Sequence, residues 1–152
     1  MSEALFTEKS LAELATVHAD LRRVVMRARS WSRIPFEASQ GARTIEQQRQ
    51  YFQEGKSKVN PDAYANKEAL YAAAKHVVGP GAPLSRAVDL FVPGQEGGAY
   101  DKNALCYLAG VMEAAARSID IKIRWGGDFD RDGVLLEKGT FHDLPHFELD
   151  QP

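Results

Sequence analysis

Apolar residues recur along this chain at two spacings, and the change from one to the other divides it into elements. Leu11, Leu14, Val17, Leu21, Val24, Val25 and Ala28 fall three or four apart, as on one face of a helix. Ser10-Leu-Ala-Glu13 stands ahead of most of them in the order of a capping box, so a single helix is predicted over about residues 11–30. Ile34 to Ser39 reads as a short strand ended by Gln40-Gly41. Thr44 and Gln47 form a second capping box, opening a helix through Tyr51 and Phe52 that Gly55 ends. After a loop over 55–65, Asn66 caps a short helix reaching Lys75-His76. The Pro and Gly residues of 77–85 exclude regular structure, and Arg86 to Val92 is the clearest strand. Asp101 caps a long helix whose Leu105, Leu108, Val111, Met112 and Ala115 form a stripe. Ile121 to Trp125 and His146 to Leu149 alternate as strands. Helix, strand, helices, strand, helix and strands in that order predict an α+β fold, a small antiparallel sheet with helices packed against it.

Composition adds bounds to this picture. The 152 residues are 44% hydrophobic and 26% charged, which suits one domain over residues 1–152 that buries its own core. A net charge of -2 argues against a general nucleic-acid binder, although arginines gather at Arg22, Arg23, Arg27, Arg29 and Arg33. The single cysteine, Cys106, permits no internal disulfide. Met1 to Leu5 lacks a basic start followed by an apolar run, so no secretory signal is expected. No stretch is long enough to span a membrane, so no stable membrane insertion is expected and nothing suggests more than a monomer.

The chemistry concentrates in a few residues. Asp143 lies three residues ahead of His146, with Pro145 between, and strand alternation puts His146 and Glu148 on one face, opposite Phe147 and Leu149. Asp89 is a carboxylate inside an apolar strand, so it must meet a cation, a metal or several donors. With His18 set aside beside its helical stripe, His76, His142 and His146 are the candidate nitrogen ligands. Two imidazoles and one carboxylate make a hydrolytic three-ligand set that leaves a position for water. His76 or His142 can complete it with Asp89 and His146. Arg43 stands at a strand–helix junction, where side chains commonly face a cleft. Asp128-Phe-Asp130-Arg-Asp132-Gly133 matches the first half of a calcium-binding loop, but Gly139 stands where the bidentate acid belongs.

Taken together these segments resemble the zinc peptidases of the D-alanyl-D-alanine carboxypeptidase and dipeptidase group, and most of all the phage-encoded L-alanyl-D-glutamate endopeptidases used as endolysins. Ser10 to Leu21 is similar to their opening helix, and Gly41-Ala-Arg43-Thr44 with Gln47 to their G-x-R-T-x-x-Q segment. Lys75-His76 and Ala87-Val88-Asp89 resemble their S-x-H-x-x-G-x-A-x-D motif. Arg124-Trp-Gly-Gly-Asp128 and Asp143-Leu-Pro-His146-Phe-Glu-Leu resemble their closing segment. One departure stands out: the stretch Val77 to Val88 separates His76 from Asp89, where the family usually has a shorter spacer.

The resemblance implies a Hedgehog/DD-peptidase-like fold forming one catalytic domain with no separate wall-binding domain. It implies zinc on His76, Asp89 and His146, Asp143 as general base, and Arg43, Gln47, Ser85 and Trp125 on the substrate side. It also makes Asp128, Asp130 and Asp132 a candidate calcium site. The expected partner is the peptidoglycan peptide stem, cut between L-Ala and D-Glu during lysis. The expected location is the cytoplasm of the infected bacterium, with a separate membrane-permeabilising protein giving access to the wall. Two other readings share these residues: a D-Ala-D-Ala carboxypeptidase or dipeptidase, and a non-catalytic, metal-stabilised wall-binding module.

Overall fold

The computed structural model describes residues 5–150. Its elements are α1 (Glu8–Leu14), α2 (Ala19–Trp31), β1 (Glu37–Gln40), α3 (Ile45–Gln53), a short 3-10 turn (Pro61–Ala63), α4 (Lys67–Ala73), β2 (Ala87–Phe91), α5 (Lys102–Ser118), β3 (Ile123–Trp125) and β4 (His146–Leu149). The strands form one antiparallel sheet in the order β1-β2-β4-β3. The α+β expectation holds, with the strands close to their predicted positions.

The single helix expected over 11–30 is two helices. Thr7, not Ser10, caps α1, accepting from the Ser10 amide at 3.2 Å. Ser10 is buried inside α1, where its hydroxyl accepts from Ala38 N at 3.0 Å and donates to Glu37, tying the helix to β1. The break at Thr16-Val17 comes from a tertiary contact. Ser85 N donates to Thr16 O at 2.8 Å and His18 N donates to Ser85 O at 2.7 Å, so the distant 77–85 loop takes main-chain groups that a continuous helix would use itself. His18 then restarts the helix as the N-cap of α2, its Nδ1 accepting from Asp20 N.

The core lies between one sheet face and the pair α2 and α5. Leu21, Val24, Val25 and Ala28 of α2 meet Leu105, Leu108, Met112 and Ala115 of α5. Val88, Leu90, Phe147 and Leu149 enter the same cluster from the two central strands. Strand alternation therefore sends Ala87, Asp89, His146 and Glu148 to the other face. One face of the sheet drives burial and the opposite face carries the polar side chains.

Leu108 is 1% exposed at the α2–α5 contact, and a truncation there leaves a cavity. Leu108→Ala is expected to lower unfolding stability by about 2–5 kcal/mol in urea titrations while leaving metal affinity of the folded protein at the wild-type value.

Candidate metal centre

The register of the two central strands brings the first two candidate ligands together, because Asp89 of β2 pairs directly with His146 of β4. His76 reaches them from the turn after α4. Its carbonyl accepts from Arg43 N at 2.8 Å, and Val77 pairs in parallel with Arg43. The long spacer before Asp89 closes on itself, since Arg86 N donates to Lys75 O at 2.8 Å. Added loop length thus costs little and leaves His76 beside the sheet. His76 Nε2 lies 3.2 Å and His146 Nδ1 3.5 Å from the same oxygen, Asp89 Oδ1. One ligand atom from each of the three lies within 4.8 Å of the others. His142 is outside this group; its Nε2 meets Thr140 Oγ1 at 2.8 Å on the cavity wall.

The other nitrogen of each ring is already engaged. His76 Nδ1 lies 2.7 Å from Gly41 O, and a carbonyl only accepts, so Nδ1 carries the proton and Nε2 is free to ligate. His146 Nε2 lies 2.8 Å from Glu148 Oε1, which frees Nδ1 in the same way. Two imidazoles that each turn their remaining nitrogen towards one carboxylate are, once a metal displaces the protons facing Asp89, a donor set that fits a divalent ion of borderline softness. Gly41 is needed where it stands, because a Cβ there would collide with Thr16 Oγ1 and Glu13 O.

Asp143 is held beside this group through its main chain. Asp143 N donates to Gly126 O at 2.8 Å, Gly126 N donates to His146 O at 2.8 Å, and His146 N donates to Asp143 O at 3.0 Å. A Cβ on Gly126 would collide with the Asp143 carbonyl, so the glycine permits the close approach. Trp125 Nε1 donates to Leu144 O at 2.7 Å and braces the same turn. The Asp143 carboxylate reaches within 3.9 Å of His146 Nδ1.

Charge in this region follows burial and proximity. Burial disfavours the Asp89 carboxylate, but the two imidazoles outweigh it and hold Asp89 well below the usual carboxylate range. Burial likewise opposes a charge on His146, yet Asp89 and Glu148 raise its pKa to about 9. Asp143 moves upward instead, chiefly by burial and then by the nearby Asp89 charge. The two carboxylates are thereby separated, one firmly ionised and one readier to take a proton.

Arg43 lines the cavity that opens over this group, a space of about 720 Å³ also walled by Lys58, Phe129, Phe141 and His142. Its guanidinium donates to Gln48 Oε1 at 2.8 Å and Gln40 Oε1 at 2.5 Å and lies over the Tyr51 ring at 4.5 Å. Its Nε is buried without a partner. Gln47, expected on the substrate side, lies outside this cavity: its side chain accepts from Thr44 N in the capping box. The glutamine touching Arg43 is the buried neighbour Gln48, for which the sequence carried no signal. Ser85 is also away from the cavity, fully buried with its hydroxyl donating to Ala87 O. Trp125 packs against the core and braces the Asp143 turn rather than lining the cavity. Asp128, Asp130 and Asp132 do converge at the rim, again with ligand atoms within 4.8 Å of one another, but Asp130 and Asp132 are exposed.

A family model described as phage L-alanyl-D-glutamate peptidase matches residues 2–150. The chain belongs to this family. Membership makes it a peptidase of the L-alanyl-D-glutamate type. Among solved structures it is similar to the Serratia marcescens L-Ala D-Glu endopeptidase ChiX, with 28% identity, a TM-score of 0.67, and coverage of 95% of this chain and 88% of that one. No curated protein matches it. Among the described residues, no helix of this family member is long and apolar enough to cross a membrane.

The raised pKa of His146 sets a pH window for the metal-free peptidase. Its folded value of about 9 lies above the ~6.5 of an unfolded histidine, so the stabilisation from its ion pairs is complete below about pH 6.5 and lost as pH rises through about 9. Metal must displace the same proton, so metal affinity is expected to rise over that window while metal-free thermal stability falls. Calorimetry of chelator-treated protein and metal titrations at a series of pH values check both slopes.

Proposed function

We propose that the chain hydrolyses the amide between L-Ala and D-Glu in the peptidoglycan stem as a zinc enzyme. The observation that carries this reading is the convergence of His76 Nε2, Asp89 and His146 Nδ1 beside a separate carboxylate, Asp143, whose pKa is raised. His76, Asp89 and His146 would hold the ion. When bound, zinc supplies Lewis-acid activation of a water and of the scissile carbonyl.

The remaining work falls to the protein. Asp143 takes the proton of the attacking water and then passes it to the D-Glu nitrogen as the amide bond breaks, a double role suited to a carboxylate whose pKa burial has raised. Arg43, by its position on the cavity wall, faces the substrate and offsets its negative charge. Gln40, Gln48 and the Tyr51 ring hold that guanidinium in place. Cleavage leaves a new L-Ala carboxylate and a new D-Glu amine.

In this reading the enzyme is a single catalytic domain acting on the wall during lysis, reached from the bacterial cytoplasm once a separate protein has permeabilised the membrane. The Asp128, Asp130 and Asp132 turn would take calcium at the cavity rim. Calorimetric titration of calcium into zinc-loaded protein is expected to show one site that Asp130→Asn weakens; no heat above the chelator-treated control removes calcium from the proposal.

Purified protein digested with peptidoglycan is expected to release stem peptides with D-Glu amino termini, read by mass spectrometry. Loss of terminal D-Ala alone would favour a carboxypeptidase, and no released peptide a binding module. Asp143→Asn should keep one zinc per chain and lower turnover by about 10²- to 10⁴-fold. An active Asp143→Asn enzyme would remove Asp143 from the proton transfers.

A further inference from the structure

Glu148 has not entered the chemistry so far, yet it is the most heavily engaged carboxylate beside the metal centre. It is 5% exposed on β4 and meets three nitrogenous side chains. Oε1 accepts from His146 Nε2 at 2.8 Å, while Oε2 lies 3.0 Å from Lys75 Nζ and 2.8 Å from Arg124 Nη2. Each of these partners comes from a different part of the fold. Lys75 immediately precedes His76 and also donates to Leu149 O at 2.7 Å, and Arg124 lies opposite Glu148 in the β3–β4 register.

We infer that Glu148 is a positioning residue that sets which nitrogen of His146 faces the metal and anchors both histidine-bearing segments to one buried carboxylate. The inference rests on the zinc reading above. The two faces of Glu148 do different things. Oε1 fixes a ring proton of His146 on Nε2, which leaves Nδ1 as the nitrogen that faces Asp89 and that a metal would take in exchange for its proton. Oε2 is held by two cations, so the carboxylate cannot rotate away without taking the counter-charge from the buried Lys75 and the part-exposed Arg124. The same clamp ties the Lys75-His76 turn to β4, so the two imidazoles, 5.0 Å apart between ring centres, share one support.

Substituting an amide for this carboxylate should invert the arrangement. Lys75 and Arg124 only donate, so the Gln oxygen would turn to them and its NH2 would turn to His146. His146 Nε2 would then have to accept, and its proton would move to Nδ1, the atom facing Asp89. The ring would stay in place with its ligating lone pair blocked.

The test uses zinc itself, with chelator competition as the readout. Glu148→Gln is expected to bind zinc about 10- to 100-fold more weakly than wild type. Lys75→Met, which releases the His76 turn from the clamp but keeps the Glu148–His146 hydrogen bond, should weaken zinc by less than Glu148→Gln does and leave the His146 ring proton on Nε2. Ring nitrogen NMR of zinc-loaded wild-type protein should show His146 protonated at Nε2 in a slowly exchanging hydrogen bond. Unchanged zinc affinity in Glu148→Gln, an equal loss in Lys75→Met, or a wild-type His146 ligating through Nε2 would each overturn the inference. The NMR result stands even where a variant fails to fold. Failure of the wild-type protein to bind zinc at all would instead strike the metal reading on which the inference rests.

Discussion

The structure turns on the Asp89 carboxylate, a charge set inside a central strand with an imidazole on either side. An ionised carboxylate is costly to bury alone. His76 and His146, both against the same Oδ1, offset that cost in the metal-free chain and face the same oxygen that a metal would share. Two features of the fold deliver those rings. The β2–β4 register delivers His146, and the closed 77–85 loop, stitched to Arg43 and Lys75, delivers His76.

The outer partners divide the labour around that carboxylate. A main-chain carbonyl at Gly41 orients one ring, and a side-chain carboxylate at Glu148 orients the other. The first depends on a close approach that only glycine allows, and the second on a buried ion network of Lys75 and Arg124. Asp143 differs from both because its main chain, not its side chain, is fixed. It is carried by the Gly126 pairing, and its carboxylate remains available for a proton.

Comparison of expectation with outcome shows where local pattern was enough. The capping box at Thr44, the caps at Asn66 and Asp101 and the strands at Ala87 and His146 all depend on neighbours within four residues, and each formed as read. The first helix was misread because its apolar stripe runs unbroken while a loop some 70 residues later interrupts the backbone. The residues expected on the substrate side divided on the same principle. Arg43 stands at the cleft its strand–helix position suggested, whereas the side chains of Gln47 and Ser85 are taken by caps and turns.

By itself the chain determined the α+β class, the two polar positions of β4, the Asp143–His146 spacing and a short list of histidines, because strand alternation and capping are local rules. Only the tertiary structure brought His76 and not His142 beside Asp89 and His146, placed Gln48 and not Gln47 against Arg43, and revealed Glu148 as the partner of three side chains. Those choices depend on which strand lies beside which and on where a long loop returns. Such contacts join residues dozens of positions apart, and no spacing along the chain encodes them.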